Sequence, residues 1–275
     1  MEDQETIKRA IESPFFIGRI AGIELQTAYH LHTGSLHQIV RDKEELENNA
    51  GIHLKGTASL ATYCTKLVES YEHCTHIAEW DKSGAVFEKT GRSQEWIAQK
   101  TPNVPKIDAL SLEPYYFRDS WMPHIKGKRI LVIHPFASTF EKQVPKLKEI
   151  FPTQSWFEEC TFQMVKPPMT MAGNHGNKDW QDHLAEFLPS LDGIEFDIAL
   201  VAAGGYGMLI SDYLFTERKK SVFYIGGALQ IFFGVIGKRW FTNDAIMKLV
   251  NDAWTRPMIQ ERPPQYNKVE KGCYW

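Results

Sequence analysis

The sequence has few cysteines and no long uninterrupted apolar segment. Its four cysteines, Cys64, Cys74, Cys160 and Cys273, are far apart and form no CxxC pair. They favour reduced thiols in a cytosolic protein over a disulfide framework. The most apolar stretch, residues 225–237, contains four glycines and a glutamine, and the N-terminus is charged throughout. We therefore expect neither a membrane span nor a signal peptide.

The sequence also has no large excess of charge of one sign and none of the common catalytic motifs. Lys and Arg number 31 against 34 Asp and Glu, so no net field favours nucleic acid or an anionic membrane. There is no HExxH or Cys/His cluster, no GxSxG elbow, no Walker A loop and no GxGxxG. His30 and His32 are two residues apart on a predicted helix and face different directions. A metal site and a covalent hydrolase are both disfavoured, and no metal ligand set is predicted.

Apolar runs and turn residues alternate regularly in the second half of the chain. The pattern predicts strands at 129–134, 161–165, 196–202 and 221–225, and helices at 138–150, 177–188, 206–218, 228–235 and 243–254. This rhythm is typical of a Rossmann-like α/β fold, a mostly parallel sheet with helices on both faces. We expect one domain over residues 1–275, with an N-terminal part (1–123) and a Rossmann-like C-terminal part (124–275).

The N-terminal part carries a weaker version of the same pattern. We expect helices at 1–12, from residue 25 to 32, within 54–80 and at 93–100, and strands at 15–20 and 75–80. The segment 101–123 holds four prolines and several aromatic residues, and it is predicted to join the two parts.

The strongest functional signal is a strand that enters three glycines in four residues, Gly204, Gly205 and Gly207 around Tyr206. Glycines allow close backbone approach, and the N-terminus of the following helix offers unpaired N–H groups to a phosphate or a sugar hydroxyl. The alternative is a tight turn without a ligand.

A second glycine loop follows the next strand at Gly226 and Gly227, with Gln230 in the first helical turn. Ligands of parallel α/β sheets lie outside the carboxyl ends of the strands, so two neighbouring loops favour a crevice there. Gln230 could bind a hydroxyl or a base edge, or equally face solvent.

Cations and further polar residues stand near the same predicted edge. Lys238 and Arg239 are suited to bind a diphosphate, and Trp240 could stack on a base or sugar ring. The equally favoured alternative is a solvated turn in which Trp240 is buried in the core. His134 and Ser138 follow the strand at 129–134. His134 could serve catalysis there, or more often pack in the core.

Two carboxylates are candidate general bases. Arg19, Gly22 and Glu24 lie at a strand-to-helix turn, where Glu24 could accept a proton or simply complement the helix dipole. Asp212, one helical turn beyond the first glycine loop, could act likewise or be a surface residue.

Several strings resemble the glycosyltransferases of the GT-D type, found in bacterial and viral polysaccharide gene sets. They are GRIAGIE (18–24), LEPYYF (112–117), GKRILVIHPFASTFEKQ (127–143), DIALVAAGGYGMLISDYL (197–214), GGALQIFFGVIGKRW (226–240) and the final WTRPMIQERPPQYNKVEKGCYW. The resemblance covers most of the chain. It implies an enzyme that moves a sugar from a nucleotide-sugar donor, a UDP-sugar in our prediction, to a glycan acceptor. The expected location is the cytoplasm, that of the host if the protein is viral.

The chain departs from the family where a divalent cation binds. Members carry an Asp-x-Glu pair in a RxGDGE string, and here Gly22 occupies the Asp position while Glu24 is kept. We therefore expect Arg19, Lys238 and Arg239 to neutralise the diphosphate in place of Mn²⁺ or Mg²⁺, with Glu24 the remaining ligand if a cation is used. The alternatives are a nucleotide-sugar binding protein without activity and an S-adenosylmethionine methyltransferase.

Overall fold

A computed structural model describes residues 2–275 of the chain. Its strands are Phe16–Arg19 (β1), His76–Glu79 (β2), Lys106–Asp108 (β3), Arg129–Ile133 (β4), Thr161–Val165 (β5), Ile198–Val201 (β6) and Ser221–Tyr224 (β7). They form one sheet in the order β3-β2-β1-β7-β6-β4-β5, and every pair is parallel. The expected α/β fold with a parallel sheet is confirmed.

Ten α-helices are assigned within the described residues. They are Glu2–Ala10 (α1), Gly22–His32 (α2), Leu36–Glu45 (α3), Thr57–Glu72 (α4), Ala85–Lys100 (α5), Ala137–Gln143 (α6), Leu147–Ile150 (α7), Trp180–Phe187 (α8), Gly207–Thr216 (α9) and Asp244–Met247 (α10). A π-helical turn, Leu46–Ala50, follows α3, and a 3₁₀ helix, Gly226–Phe233, follows β7. Between residues 2 and 275, no helix combines the length and apolarity needed to cross a bilayer.

The sheet separates two hydrophobic layers. Along β4, Ile130 and Val132 pack into one layer while Leu131 and Ile133 pack into the other. This alternation follows from the two-residue period of a strand, and the nearly continuous apolar sequence follows from burial on both faces. Helices α2, α4 and α9 cover one face; α1 and the 3₁₀ helix after β7 cover the other.

The two sequence parts meet at the contact between β1 and β7. Ile17 lies opposite Phe223 in this register, so strands from both parts complete one sheet. After β1 the chain passes to one face through α2, whereas after β7 it passes to the opposite face. Neighbouring strands whose connections leave in opposite directions open a crevice at their carboxyl ends, where ligands of such sheets bind.

Several predicted helices are shorter in the structure. Pro145 lacks an N–H and divides the helix expected at 138–150 into α6, a 3₁₀ turn and α7. The helix expected at 243–254 is only α10, and beyond it the Asn251 side chain donates to the carbonyls of Glu149 and Ile150. The helix expected at 228–235 is the 3₁₀ helix.

One α-helix and one strand were absent from the expectations. Helix α3 was missed, and β3 forms an edge strand within the segment that was expected only to join the two parts.

Candidate functional site

A cavity of about 640 Å³ opens at the carboxyl edge of the sheet. Its walls come from the segments after β1, β2, β4, β6 and β7, from the turn at 46–50, from α5 and from the end of the chain. Of the predicted site residues, eight line it: Gly22, Glu24, His134, Gly204, Gly226, Gly227, Gln230 and Arg239. The structure thus brings together residues far apart in the sequence.

Glu24 is the buried carboxyl of this cavity. It is the third residue of α2 and only 7% exposed, and no other residue of the described chain is hydrogen-bonded to its carboxyl. The pKa of Glu24 is raised to about 7, mainly by burial; its own backbone N–H lowers the pKa, and the charges of Glu270 and Glu45 add to the rise. Desolvation therefore outweighs the favourable helix N-terminus, and the carboxyl is poised to exchange a proton near neutrality.

The first turn of α2 also faces the cavity with its backbone. Gly22 and Ile23 line the wall, and the preceding Ala21 provides no side-chain cap. The first amides of a helix have no intrahelical acceptor, so they can donate to an anion or a hydroxyl oxygen. A Cβ added at Gly22 would meet only the methyl group of Thr90, at 3.7 Å, so the space beside this turn is open.

His134 lines the cavity as a neutral hydrogen-bond donor. Its Nδ1 accepts the N–H of Phe136 at 2.9 Å, which fixes the remaining proton on Nε2. Burial lowers the pKa of His134 to about 3. The structure therefore favours a donor role over the acid-base role that its position in the sequence suggested.

Gln230 presents an unpaired acceptor. The side chain is fully buried, its Nε2 donates to the carbonyl of Val235 at 3.1 Å, and its Oε1 has no partner. A buried carbonyl oxygen without a partner costs about 1–3 kcal/mol. Gln230 lines the cavity, but Oε1 itself is enclosed, so a ligand N–H or O–H would satisfy it only after the side chain turns toward the cavity. The alternative of a solvent-facing glutamine is contradicted by its burial.

Arg239 is held at the rim by the end of the chain. Its Nη1 donates to the hydroxyl of Tyr274 at 2.9 Å, its backbone N–H donates to the carbonyl of Cys273, and Glu270 lies 4.0 Å away. The side chain is still 45% exposed, so part of the guanidinium remains accessible to a phosphate.

Arg19 lies outside the cavity, contrary to the expectation that it neutralises the diphosphate. Its guanidinium is buried in an ion pair with Glu113 at 2.5 Å, donates to the carbonyl of Ile225 and stacks on Trp80 at 4.3 Å. These contacts tie the end of β1 to β7, so the residue is structural here.

Asp212 is also removed from the site. It lies on α9 and pairs with His73 at 2.8 Å, and it does not line the cavity. It therefore cannot act there together with Glu24.

The remaining predicted residues have packing roles or lie at the surface. A side chain at Gly205 would collide with Ile52 and Tyr63, and one at Gly207 would collide with the ring of Tyr224. Tyr206 is buried. The Ser138 N–H donates to Glu261, which fixes the start of α6. Trp240 is buried in the hydrophobic core, and Lys238 is exposed, with its ammonium near the ring of Tyr266. None of these six lines the cavity.

The last residues of the chain form a wall that sequence reasoning missed. Val269, Glu270, Lys271, Tyr274 and Trp275 all line the cavity. The signal was the density of aromatic residues in this tail, which indicates packing against the domain. Trp80, Lys89 and Thr90 also line the cavity, and no motif indicated them.

A divalent cation does not fit beside Glu24. Gly22 has no side chain to offer, and the metal-ligand grouping found among residues 2–275 does not include Glu24. Glu45 and Glu270 line the same cavity, but they and Glu24 do not bring three ligand atoms within 4.8 Å of one another, and a single carboxyl is too few ligands for Mg²⁺ or Mn²⁺.

Comparisons of the chain with protein-family models, with curated proteins and with solved structures gave no match.

Proposed function

We propose that this chain is a glycosyltransferase that moves a sugar from a nucleotide-sugar donor, a UDP-sugar, to a glycan acceptor. The observation that carries the proposal is the convergence of Glu24, the first turn of α2, the turn at Gly226 and Gly227, and Arg239 on one cavity. The cavity volume lies within the range of about 300–1,000 Å³ found for small-molecule sites.

The reaction would be a direct displacement at the anomeric carbon. The acceptor hydroxyl oxygen forms the new bond to that carbon, the bond from the carbon to the phosphate oxygen breaks, and the nucleoside diphosphate leaves. Glu24 takes the proton of the acceptor hydroxyl. A pKa of about 7 supports this role, because a general base works best when its pKa is close to the working pH.

Charge on the leaving diphosphate would be met by donors and a cation already in place. The amides of the first turn of α2 and of the turn at Gly226 and Gly227 supply N–H groups, and Arg239 supplies a guanidinium. Oriented donors of this kind stabilise developing negative charge without reorganisation. No step is assigned to a divalent cation.

The test combines ligand binding with product release. Calorimetry with UDP-sugars, GDP-sugars and S-adenosylmethionine separates the ligand classes, and release of nucleoside diphosphate in the presence of glycan acceptors separates an enzyme from a binding protein. Glu24→Gln should reduce turnover by about 10²–10⁴ while leaving donor affinity largely intact. Asp212→Asn is the matched control, since Asp212 lies outside the cavity, and its turnover should stay close to that of the parent.

Three outcomes would contradict the proposal. Binding of S-adenosylmethionine without binding of nucleotide sugars would indicate a methyltransferase. Donor binding without product release over a broad acceptor panel would indicate a binding protein. Unchanged turnover in Glu24→Gln would remove Glu24 as the base.

A further inference from the structure

Two histidines and a glutamate meet behind one wall of the cavity. Glu47 lies on the π-helical turn, His53 six residues later, and His175 in the irregular segment 166–179. His53 Nδ1 is 2.9 Å from Glu47 Oε2, and His175 Nε2 is 3.3 Å from Glu47 Oε1. One ligand atom of each residue lies within 4.8 Å of the others.

We propose that Glu47, His53 and His175 bind a first-row divalent cation, with Zn²⁺ the best match. The ion would join the segment 46–53 to the segment 170–180. This inference does not depend on the proposed transferase activity.

The ligand set and its spacing favour zinc over magnesium or calcium. Two imidazoles and one carboxylate are borderline ligands that suit Zn²⁺, whereas Mg²⁺ and Ca²⁺ prefer oxygen. Zn–N bonds of about 2.0–2.1 Å place neighbouring tetrahedral ligands about 3.3 Å apart. His53 and His175 approach different oxygens of Glu47, at 2.9 and 3.3 Å, so each nitrogen lies at about this distance from one oxygen of the same carboxylate. The fourth position would be taken by solvent.

The two segments are already held together by backbone hydrogen bonds on both sides of the cluster. The Ala172 N–H donates to the carbonyl of Asn48 at 2.9 Å, and the Trp180 N–H donates to the carbonyl of His53 at 3.0 Å. The rings of His53 and His175 stack face to face, with centroids 3.6 Å apart and planes within 9°. An ion lies near the plane of each imidazole that binds it, so one ring must rotate out of this stack before both rings can bind the same ion. The backbone places the three side chains together, and binding requires this local rotation.

Metal binding would rearrange the protons of both rings. His53 Nδ1–H now donates to Glu47, and the Asn177 N–H donates to Nδ1 of His175 at 3.0 Å, which leaves the His175 proton on Nε2 toward Glu47. To bind the ion through Nε2, His175 must carry its proton on Nδ1. The hydrogen bond from Asn177 is then lost, and the turn at 175–177 must move.

The proposed metal ligands are close in sequence to residues that line the cavity. Asn49 and Ala50, next to Glu47, line the cavity, as does Met171 on the second segment. The described region 166–179 contains no helix or strand, and Ala172 and Asn177 have left-handed backbones with φ of 56° and 57°. Such a segment is held by few ladder hydrogen bonds, so an ion that joins it to the π-helical turn would lower its mobility.

The experiment uses the full chain without a histidine tag. Protein is loaded with ZnCl₂, dialysed and assayed for bound zinc by mass spectrometry, with MgCl₂ as the comparison ion. The variants are His53→Ala, His175→Ala and Glu47→Gln, with His37→Ala as the control, because His37 is exposed on α3 and makes no side-chain hydrogen bond. Hydrogen exchange of the parent with and without zinc gives a measurement that requires no variant.

We expect one equivalent of zinc and no magnesium in the parent and in His37→Ala. Loss of a ligand should weaken zinc affinity by more than the roughly 10–100-fold seen when an outer-shell partner is lost. Zinc should slow exchange in 46–53 and speed it at the Asn177 amide. Absence of stoichiometric zinc, or equal retention by the His53→Ala/His175→Ala double variant, would overturn the proposal. Should a variant fail to fold, unchanged exchange in the parent would overturn it independently.

Discussion

Arg239 and Tyr274 are joined by a hydrogen bond of 2.9 Å from the guanidinium to the phenol oxygen. The same tyrosine ring lies where a side chain on Gly227 would be. The end of the chain therefore holds Arg239 in position and shapes the second glycine turn. The proposed diphosphate site depends on a residue that stands 35 positions later in the sequence.

Tyr274→Phe should weaken donor binding without abolishing it. The change removes the acceptor for Arg239 and keeps the ring against Gly227. Loss of one hydrogen bond to a charged group is worth about 1.5–3 kcal/mol at most, so we expect the donor dissociation constant to rise by about tenfold in calorimetry. Tyr266→Phe is the control, because the Tyr266 hydroxyl has no partner within the described chain. Equal effects in both variants would remove Tyr274 as the residue that positions Arg239.

Turnover should depend on pH through Glu24. The base form is required, and the pKa is about 7, so turnover should rise with pH through neutrality and then level off. The ascending limb should vanish in Glu24→Gln, whose residual activity should be flat over this range. A parent profile that rises only below pH 5 would contradict a buried, proton-accepting Glu24.

Stability should change with pH in the opposite direction. The folded pKa of Glu24, about 7, lies above its usual value of 4.5, so the folded state binds the extra proton between these values. This contribution is fully present below pH 4.5 and is lost as pH rises through 7, a loss of about 3 kcal/mol. Denaturant unfolding of the parent and of Glu24→Gln at pH 5 and 8 measures it. Between these two pH values the parent should lose about 2.5 kcal/mol more than the variant, and equal losses would contradict the prediction.

His134 should remain neutral throughout the working range. The Phe136 N–H donates a hydrogen bond to Nδ1 of His134, and burial lowers the pKa of this ring to about 3. Nitrogen-detected NMR should therefore show the Nε2–H tautomer unchanged from pH 5 to 8. His134→Asn can keep an acceptor for Phe136 and a donor toward the cavity, so it should retain more activity than His134→Ala. Protonation of this ring near pH 6 would restore an acid-base role.

The sequence predicts the framework of the sheet because its central strands are buried on both faces. Residues 129–134 and 196–202 are almost continuously apolar, and the parallel strands β4 and β6 lie within them. The edge strand β3 has only three residues, Lys106–Asp108, with one buried side chain. A strand this short carries no periodic signal.

The candidate site could be predicted only where a local pattern marks a strand end. Gly226, Gly227 and Glu24 were found in this way, and all three line the cavity. Arg19 was misplaced because its partner Glu113 is 94 residues away, and no local pattern reveals such a pairing. Tyr274 was missed for the same reason, since its contact with Arg239 is set by tertiary packing.

Gly204→Ala tests how closely the turn at 46–50 packs on the first glycine loop. Gly204 has a φ of +51°, and a Cβ there would lie 2.8 Å from the carbonyl oxygen of Ala50. Gly193→Ala is the matched control, because Gly193 also has a positive φ, +75°, but open space around it. Both variants should lose about 1–2 kcal/mol of unfolding free energy from the left-handed backbone. Gly204→Ala should lose a further 1–3 kcal/mol, roughly the cost of overpacking, and should also weaken donor binding because Ala50 lines the cavity. Equal losses of stability in denaturant unfolding would show that the Ala50 turn can move away freely, and the wall of the cavity would then be adaptable at this point.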